Sequence, residues 1–398
     1  MKICFLSTSF DEGYGGQHLY ALAKGLAEKG IDMNVVVPSS PNSKSYFEIK
    51  EGVKINRFRY FLPKKNQILT SGQSILDQYN NSFIAKLQFP FFLFSFIIKT
   101  LKIAKKCDLI HANWTLAGIP GLIAKKIYGK KLLLSEHGAG IRSMPKFINR
   151  FVLKNLDCII SSSIEQDDII RHLGWKKKIY DIKNISNTEK FEKRVDTKKF
   201  KSEYNLNRDP VVTFMARLVP FKDPITFVKA IPIILKKNPK VKFLIIGDGP
   251  LKNEILLFIK KNKLEKSVFL LGKRDDVNVI LQSSTIYAAL GPKSNLFSGG
   301  IREAMISRVP CIITKAVTDF GKIYEPNYYR HKEYAYLIPK EDHNALANAV
   351  LVLLKDKILR KKLAKNGPKF LEEFGFKKEI VVKQTIDLYN NLINNKLF

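Results

Sequence analysis

Cysteine is scarce in this chain, and its spacing excludes two common ways of cross-linking a fold. The sequence of 398 residues contains four cysteines, Cys4, Cys107, Cys158 and Cys311, and no Cys-x-x-Cys pair. Neither a disulfide framework nor a zinc site is therefore expected. Zinc-finger spacing and the aromatic signature of RNA-binding domains are also missing, so we do not expect nucleic acid as a partner. The pattern is typical of a reducing, cytoplasmic environment.

Long hydrophobic runs are missing as well. The most apolar stretch, residues 89–98, is about half the length that a membrane-spanning helix needs, so we expect no span. No long apolar segment follows Met1, and secretion is not expected. Two interpretations of the stretch stay open, because the basic residues after it could make it an interfacial helix, whereas its phenylalanines could equally be the core face of a packed helix.

Acidic residues are few. The chain has 36 Asp and Glu against 68 Lys and Arg, a formal net charge of +32. Such a charge favours anionic partners, which could be nucleic acid, an anionic membrane surface or phosphorylated small substrates. A bias in base composition would also explain the excess of lysine, and charge alone does not choose among these.

Short β-rich segments alternate with helical periodicity, which predicts an α/β fold with parallel sheets. We predict a first domain over residues 1–190, a polar linker over 188–209, and a second domain over 205–375. A final helix within residues 376–398 could pack against either domain. The predicted strands are 3–7, 33–37, 108–112, 132–135 and 158–162, then 211–216, 241–246, 268–271, 285–290 and 311–314.

Ligands bind such sheets in the loops that follow the carboxyl ends of the strands. Gly15 and Gly16 follow the first strand, where they could expose N–H groups to an anion or simply form a turn. Arg217 and Lys222 follow the first strand of the second series and could bind phosphate or form a solvated basic loop. Gly247 lies in a Gly-Asp-Gly-Pro turn after the next strand.

The densest signal is the segment over residues 291–305. A strand ends there, small residues open a helix that could bind a diphosphate, and Glu303 lies about one turn in, where its carboxylate could accept hydrogen bonds from a ribose. Glu303 could alternatively pair with a surface lysine.

In order and spacing, the segments ARLVPFKDP, GDGP, SNLFSGGIREAM and RVPCIIT resemble those of the retaining glycosyltransferases of family 4 (glycosyl transferases group 1). The resemblance implies the GT-B fold, in which two doubly wound, Rossmann-like domains face a central cleft. It implies that Arg217 and Lys222 contact a donor diphosphate and that Glu303 contacts the ribose. His137 matches the active-site histidine of the family, although a core histidine would also fit this position. The donor-binding residues implied are Gly15, Gly16, Gly247, Asn295, Phe297, Ser298, Gly299 and Glu303 together with the two cations.

The resemblance implies a metal-independent, retaining hexosyltransferase without a cofactor. Its donor would be a UDP or GDP sugar, and its acceptor a glycan or a lipid-linked molecule. Asn295 replaces the first of two glutamates that the family has, which changes the charge near the donor sugar. Two alternatives therefore stay open, a catalytically silent nucleotide- or glycan-binding partner and a nucleotide-sugar epimerase. A peripheral position on the inner face of the membrane is a further hypothesis.

Overall fold

The chain divides into two compact units, which are described separately. The first comprises Met1–Ile185 and Gly375–Phe398, and the second comprises Ser186–Phe374. The computed structural model describes residues 1–10, 16–41, 43, 45–70, 75–137, 139–162, 164–185, 189–206, 208–291, 299–315 and 330–396.

The first unit is built on one sheet with the order β3-β4-β2-β1-β5-β6-β7-β8. Neighbouring strands are parallel except for β3, which runs antiparallel to β4. The chain reverses its direction of winding between β1 and β5, which are adjacent in the sheet. The strands are β1 (Lys2–Leu6), β2 (Asp32–Pro38), β3 (Phe47–Lys50), β4 (Val53–Phe58), β5 (Leu109–Asn113), β6 (Lys131–Glu136), β7 (Cys158–Ser161) and β8 (Ile179–Asp181).

Helices cover both faces of this sheet because the strand residues alternate between two cores. Along β1, Cys4 and Leu6 join the core under α3 and α4, whereas Ile3 and Phe5 join the core under α1. The predicted doubly wound α/β class is confirmed for this unit. The helices are α1 (Gln17–Glu28), α2 (Ile75–Asn81), α3 (Phe83–Ala104), α4 (Trp114–Tyr128), α5 (Ala139–Ser143), α6 (Lys146–Lys154) and α7 (Ile164–His172).

Helix α3 corrects the prediction made for the apolar stretch. Ser82 caps it by accepting a hydrogen bond from the Ala85 N–H, and it runs through Pro90 over 22 residues with a mean hydropathy of 1.5. By length and composition it is long enough to cross a membrane. The predicted apolar segment was too short because the prediction counted only the unbroken apolar run. The helix continues by further turns at both ends of that run.

The second unit has the strand order β11-β10-β9-β12-β13-β14, all parallel. The strands are β9 (Val211–Met215), β10 (Lys242–Ile246), β11 (Val268–Gly272), β12 (Ile286–Ala289), β13 (Cys311–Thr314) and β14 (Tyr336–Ile338). Its helices are α8 (Glu189–Glu192), α9 (Lys198–Glu203), α10 (Pro224–Lys237), α11 (Lys252–Lys261), α12 (Val277–Ser283), α13 (Gly299–Ile306), α14 (His343–Lys355) and α15 (Lys357–Glu373). The winding reverses between β9 and β12, again as in a doubly wound domain.

The stretch predicted to be a linker folds as part of the second unit. Phe200 on α9 and Leu206 after it are buried with Val211, Leu244 and Ile246 of the sheet. A few apolar residues in a lysine-rich background were enough to anchor this segment, because their side chains pack on one face of the sheet.

The final helix, α16 (Lys378–Ile393), packs on the first unit. Val381, Val382, Leu388 and Leu392 join the core beneath α1. Tyr389 is fully buried there, and its hydroxyl lies 2.6 Å from His111 Nδ1 on β5. The sequence left its docking place open, and in the structure α16 packs beside α1 on the same core.

Candidate functional site

Three neighbouring strands of the second unit end at one edge of its sheet. They are β9, β10 and β12, which are adjacent and parallel, so their carboxyl ends lie at the same edge. Arg217 follows β9, Gly247 follows β10, and Gly299 begins α13 after β12. The edge lies at the reversal between β9 and β12, where doubly wound sheets bind their ligands.

The loop after β9 carries two cations on one aromatic ring. Arg217 Cζ lies 5.2 Å and Lys222 Nζ 5.6 Å from the centroid of the Phe221 ring. Burial, followed by repulsion from Arg217, lowers the pKa of Lys222 from 10.5 to about 8. Lys222 ends a short 3-10 turn, and Asp223, with a φ of 53°, then caps α10 by accepting from the Thr226 N–H. The turn therefore holds two positive charges close together, an arrangement that favours an anionic ligand.

Backbone hydrogen bonds tie this loop to the loop after β10. The Leu218 N–H donates to the Asp248 carbonyl over 3.0 Å, and the Leu251 N–H donates to the Leu218 carbonyl over 3.0 Å. Gly247 has a φ of 134°, and a Cβ there would lie 1.9 Å from the Ala216 carbonyl oxygen. Gly247 is thus required by the close approach of the two loops, and its structural effect is to fix the position of the cation loop.

Glu303 lies in the second turn of α13, beyond Gly299, which begins the helix. Its side chain is only partly exposed, and burial raises its pKa while Lys190 and Arg302 lower it. Lys190 is close enough to interact with this carboxylate, so the alternative of a pair with a lysine stays open beside that of a ligand contact. The carboxylate can accept two hydrogen bonds from a polar ligand at the start of α13.

In the first unit, His137 follows β6 directly and is held by two amides. Its Nε2 lies 3.0 Å from Asn113 Oδ1, at the end of β5, and its Nδ1 lies 2.8 Å from Asn184 Oδ1. These residues lie near the carboxyl edge of the sheet, beside the reversal between β1 and β5. Burial lowers the pKa of His137 from 6.5 to about 4, so its ring is neutral at physiological pH.

Both amides present an oxygen atom to the His137 ring. Asn113 Nδ2 donates to the Leu6 carbonyl over 3.1 Å, so its Oδ1 faces His137 and accepts a hydrogen bond from Nε2–H. Nδ1 faces Asn184 Oδ1, which is also an acceptor, so burial lowers the pKa of His137 while this contact raises it. The two amides therefore hold one ring orientation.

Two aromatic rings surround His137. The His18 ring centroid lies 4.7 Å from that of His137, and the Trp114 ring centroid lies 5.4 Å from it. Trp114 opens α4 with a φ of 64°, a conformation that costs a bulky residue about 1–3 kcal/mol. This strain directs the indole toward the histidine, which is typical of a functional site.

A buried carboxyl precedes His137 in the chain. Thr115 Oγ1 donates to Glu136 Oε1 over 2.7 Å, and burial raises the pKa of Glu136 from 4.5 to about 7. Near neutral pH this residue therefore exchanges a proton while His137 stays neutral. Burial therefore disfavours the negative charge of Glu136 next to His137.

His111, on β5, lies fully buried between two hydroxyl groups. Its Nδ1 contacts Tyr389, and its Nε2 lies 2.7 Å from Ser135 Oγ. Burial, followed by repulsion from His137, lowers its pKa from 6.5 to about 3. His111 thus links α16, β5 and β6 through uncharged hydrogen bonds.

This burial predicts that acid destabilises the protein through His111. The unfolded chain binds a proton below pH 6.5 and the folded chain does not, so the stability due to the neutral ring is lost as the pH falls from 6.5 toward 3. We expect His111→Gln to reduce the loss of unfolding free energy in acid by about 1.4 kcal/mol per pH unit between roughly pH 6 and pH 4. Calorimetric unfolding over this range would check it, and equal pH dependence in both proteins would contradict it.

The structure places the predicted site residues in two groups, one in each unit, and some of them lie outside the described residues. His137 and Gly16 lie at the edge of the first sheet, and a Cβ on Gly16 would lie 1.8 Å from the Phe10 carbonyl oxygen, so chain packing alone requires this glycine. The structure places Arg217, Lys222 and Gly247 together in the second unit, with Gly299 and Glu303 on the neighbouring helix. The remaining predicted residues, Gly15, Asn295, Phe297 and Ser298, lie outside the described residues.

Sequence reasoning missed the partners of His137. Asn113, Asn184 and His18 lie far from it in the chain, and only the position of Asn113 at a strand end next to the reversal could have indicated it. In the part of the chain that the structure describes, no group of three or more His, Cys, Asp or Glu side chains could hold a metal ion.

Comparisons with known proteins cover both units. The model of Glycosyltransferase Family 4 matches residues 15–190, and the model of Glycosyl transferases group 1 matches residues 196–370. N-acetyl-alpha-D-glucosaminyl L-malate synthase of Bacillus anthracis is 26% identical over 77% of this chain and 81% of its own length. The UDP-Gal:alpha-D-GlcNAc-diphosphoundecaprenol alpha-1,3-galactosyltransferase of Escherichia coli is 28% identical over 75% of this chain and 79% of its own.

Among solved structures, the HepE protein of Anabaena in complex with UDP and glucose superposes with a TM-score of 0.75 at 20% identity, covering 98% of this chain and 100% of HepE. This likeness shows the fold, and the predicted GT-B class is confirmed. With the family models matching each unit in turn, the chain belongs to the GT-B glycosyltransferases of the group 1, family 4 type.

Proposed function

We propose that this glycosyltransferase moves a hexose from a nucleoside diphosphate to a glycan or lipid-linked acceptor, retains the anomeric configuration and needs no metal ion. The observation that carries the proposal is the pair of cations, Arg217 and Lys222, on one ring at the edge of the second sheet. A pyrophosphate supplies the two negative charges that such a pair favours.

The chemistry assigns a role to each cation. In the transfer, the bond between the sugar carbon and the diphosphate oxygen breaks, and a bond to the acceptor hydroxyl oxygen forms. Negative charge grows on the departing diphosphate while the sugar carbon becomes cation-like. Fixed positive groups at the diphosphate lower this barrier because they need no reorganisation during the reaction. Arg217 offers a planar fork and Lys222 a point charge.

The anomeric configuration is retained if the acceptor hydroxyl attacks the sugar carbon from the same face that the diphosphate leaves. A phosphate oxygen of the leaving group then takes the proton of the acceptor hydroxyl, and no enzyme nucleophile is required. We propose that neutral His137 hydrogen-bonds a hydroxyl of the transferred sugar, since its pKa of about 4 excludes it as a proton donor near neutral pH. Glu303 would accept hydrogen bonds from the ribose hydroxyls.

The relatives support a choice of substrates. The Escherichia coli relative uses UDP-Gal with a diphosphoundecaprenol acceptor by its name, and HepE was solved with UDP. We therefore propose a UDP sugar before a GDP sugar as the donor, and a lipid-linked acceptor before a free glycan. None of the four cysteines forms a disulfide, which supports a cytoplasmic location.

Donor turnover with and without chelator tests the proposal. The purified chain is incubated with UDP or GDP hexoses, an acceptor mixture and EDTA, and the released nucleotide and product are followed by NMR. We expect nucleotide release that is insensitive to EDTA and a product with the anomeric coupling of the donor. Inversion at the anomeric carbon would overturn retention, and loss of activity with EDTA would overturn metal independence.

Reactions without acceptor separate the alternatives. A transferase leaves the hexose configuration unchanged, whereas an epimerase alters the sugar. A silent binding partner would shift its melting temperature with nucleotide and show no turnover with any acceptor. The names of the relatives favour transfer over both.

A further inference from the structure

Helix α3 presents an unusually apolar outer surface, which we name the aromatic face. Its side chains recur every three or four residues, so they lie along one side of the helix. They are Phe83 (75% exposed), Ile84 (56%), Leu87 (56%), Phe91 (58%), Phe94 (65%) and Ile98 (38%). A soluble surface rarely groups so many large apolar side chains, and such patches mark interaction sites.

The opposite side of α3 is fixed in the first unit. Phe92 and Phe96 are fully buried, and the Phe96 ring stacks on Phe58 of β4 with centroids 4.8 Å apart. Releasing the helix to cross a membrane would expose this core and remove one covering layer from β1, β2 and β4. We therefore infer that α3 acts in place, with its aromatic face outward, although its length would suffice for a span.

The charged residues on α3 and directly after it are all positive. Lys86 and Lys102 on α3, and Lys105 and Lys106 just after it, are exposed. In the sequence from Phe83 to Leu156, the only acidic residues are Asp108 and Glu136, and Glu136 is buried. A surface that is apolar along its length and cationic at its end complements a layer of anionic headgroups over hydrocarbon.

A second helix of the same layer has the same character. On α6, Phe147 is 73% and Phe151 65% exposed, and Lys146, Arg150 and Lys154 are exposed between and beside them. Val152 of α6 is buried in the core that also contains Phe92 and Phe96, so α6 covers the same side of the sheet as α3. Two helices that both pack against α4 thus offer exposed phenylalanine rings next to cations.

We propose that the aromatic face of α3, with the phenylalanines of α6, docks the protein on an anionic lipid bilayer as an interfacial surface. The rings enter the boundary between headgroups and acyl chains while the lysines remain among the headgroups. The inference rests on the first unit alone and does not require the proposed donor chemistry, so each can fail without the other.

A second copy of the chain fits this surface less well. Pairing two aromatic faces would place the lysines of both helices near one another, with no exposed acidic side chain on α3 or α6 to offset them. Anionic lipids avoid this repulsion because their charges are mobile and opposite in sign. The lipid bilayer is therefore the occupant that charge favours.

Vesicle flotation tests the proposal with the full chain. The vesicles are phosphatidylcholine alone or with roughly one third phosphatidylglycerol, at about 150 mM salt. We expect the unaltered protein to float with the anionic vesicles only. The double variant Phe91→Ser with Phe94→Ser should partition at least about tenfold less, because two rings no longer leave water.

The matched control removes apolar area elsewhere. Leu257 and Ile358 of the second unit are 68% and 84% exposed, and the variant Leu257→Ser with Ile358→Ser should float as the unaltered protein does. Melting temperatures and the shift caused by UDP, measured on all variants, show that folding and nucleotide binding persist. Flotation that is unchanged in the Phe91 and Phe94 variant, or lost equally in the control, would overturn the proposal.

A second measurement avoids dependence on the stability of that variant. Phe94→Trp keeps an aromatic ring at the position, and its fluorescence should shift to the blue and be quenched by brominated lipids in anionic vesicles. Unquenched fluorescence would overturn the proposal. A dimer in solution that the Phe91 and Phe94 variant abolishes, without vesicle binding by the unaltered protein, would assign the face to a second copy instead.

Discussion

Replacing Arg217 with alanine is expected to lower kcat/KM for transfer by about a hundred- to a thousandfold, the usual effect of removing one fixed charge-stabilising group. The guanidinium lies over Phe221 with Lys222 beside it, so the remaining lysine would face the departing diphosphate alone. Nucleotide release from a UDP sugar measures the loss. Because the interaction strengthens as charge develops, kcat should fall more than donor affinity.

The proposed role of Lys222 predicts that transfer activity depends on pH. Its pKa is lowered to about 8 in the folded protein, so it begins to lose its proton within the range in which activity can be measured. Transfer needs the charged form, and kcat/KM should therefore fall about tenfold per pH unit above roughly pH 8. Lys222→Arg keeps the charge and should remove this alkaline decline.

The control for both cations is Lys229→Ala. Lys229 is exposed on α10, in the same unit and a few residues along the chain, so its removal lowers the net charge equally and leaves Arg217 and Lys222 in place. Activity in this variant should remain near the unaltered level. If Arg217→Ala and Lys229→Ala lose equal activity, the two loop cations do not bind the diphosphate.

The central strands and their loops could be predicted from sequence because buried parallel strands are unbroken apolar runs followed by turn residues. Val211–Met215 and Lys242–Ile246 are of this kind, and Arg217 and Gly247 were identified because they follow them. The edge strand Phe47–Lys50 was missed because most of its side chains are exposed and two are charged. Such a strand owes its structure to pairing with β4, which sequence periodicity does not reveal.

The surroundings of His137 could not be predicted for a related reason. Asn113 precedes it by 24 residues and Asn184 follows it by 47, and both meet it only because β5, β6 and β8 end at one edge of the sheet. The predicted active-site histidine could therefore be named from its segment, whereas its ring orientation and its lowered pKa depend on the folded sheet.

His137→Ala is expected to lower kcat by about a hundredfold, the cost of losing a group that positions a reacting sugar. Donor affinity measured with UDP should change little, because the proposed contact is with the sugar and not with the nucleotide. His172→Ala, which removes an exposed histidine from α7 in the same unit, is the matched control and should keep near-normal turnover. Equal losses in both variants would contradict the assigned role.

Asn113→Asp separates positioning by His137 from a purely structural function. A carboxylate in place of the amide would face His137 Nε2–H at the same distance of about 3.0 Å and favour the charged ring. The pKa of His137 should rise from about 4 toward its ordinary value. If the neutral ring accepts or donates at the sugar, kcat should then acquire a new decline on the acidic side, which NMR titration of His137 would match. A variant with the raised pKa and an unchanged pH profile would show that His137 supports the fold and does not contact the reacting sugar.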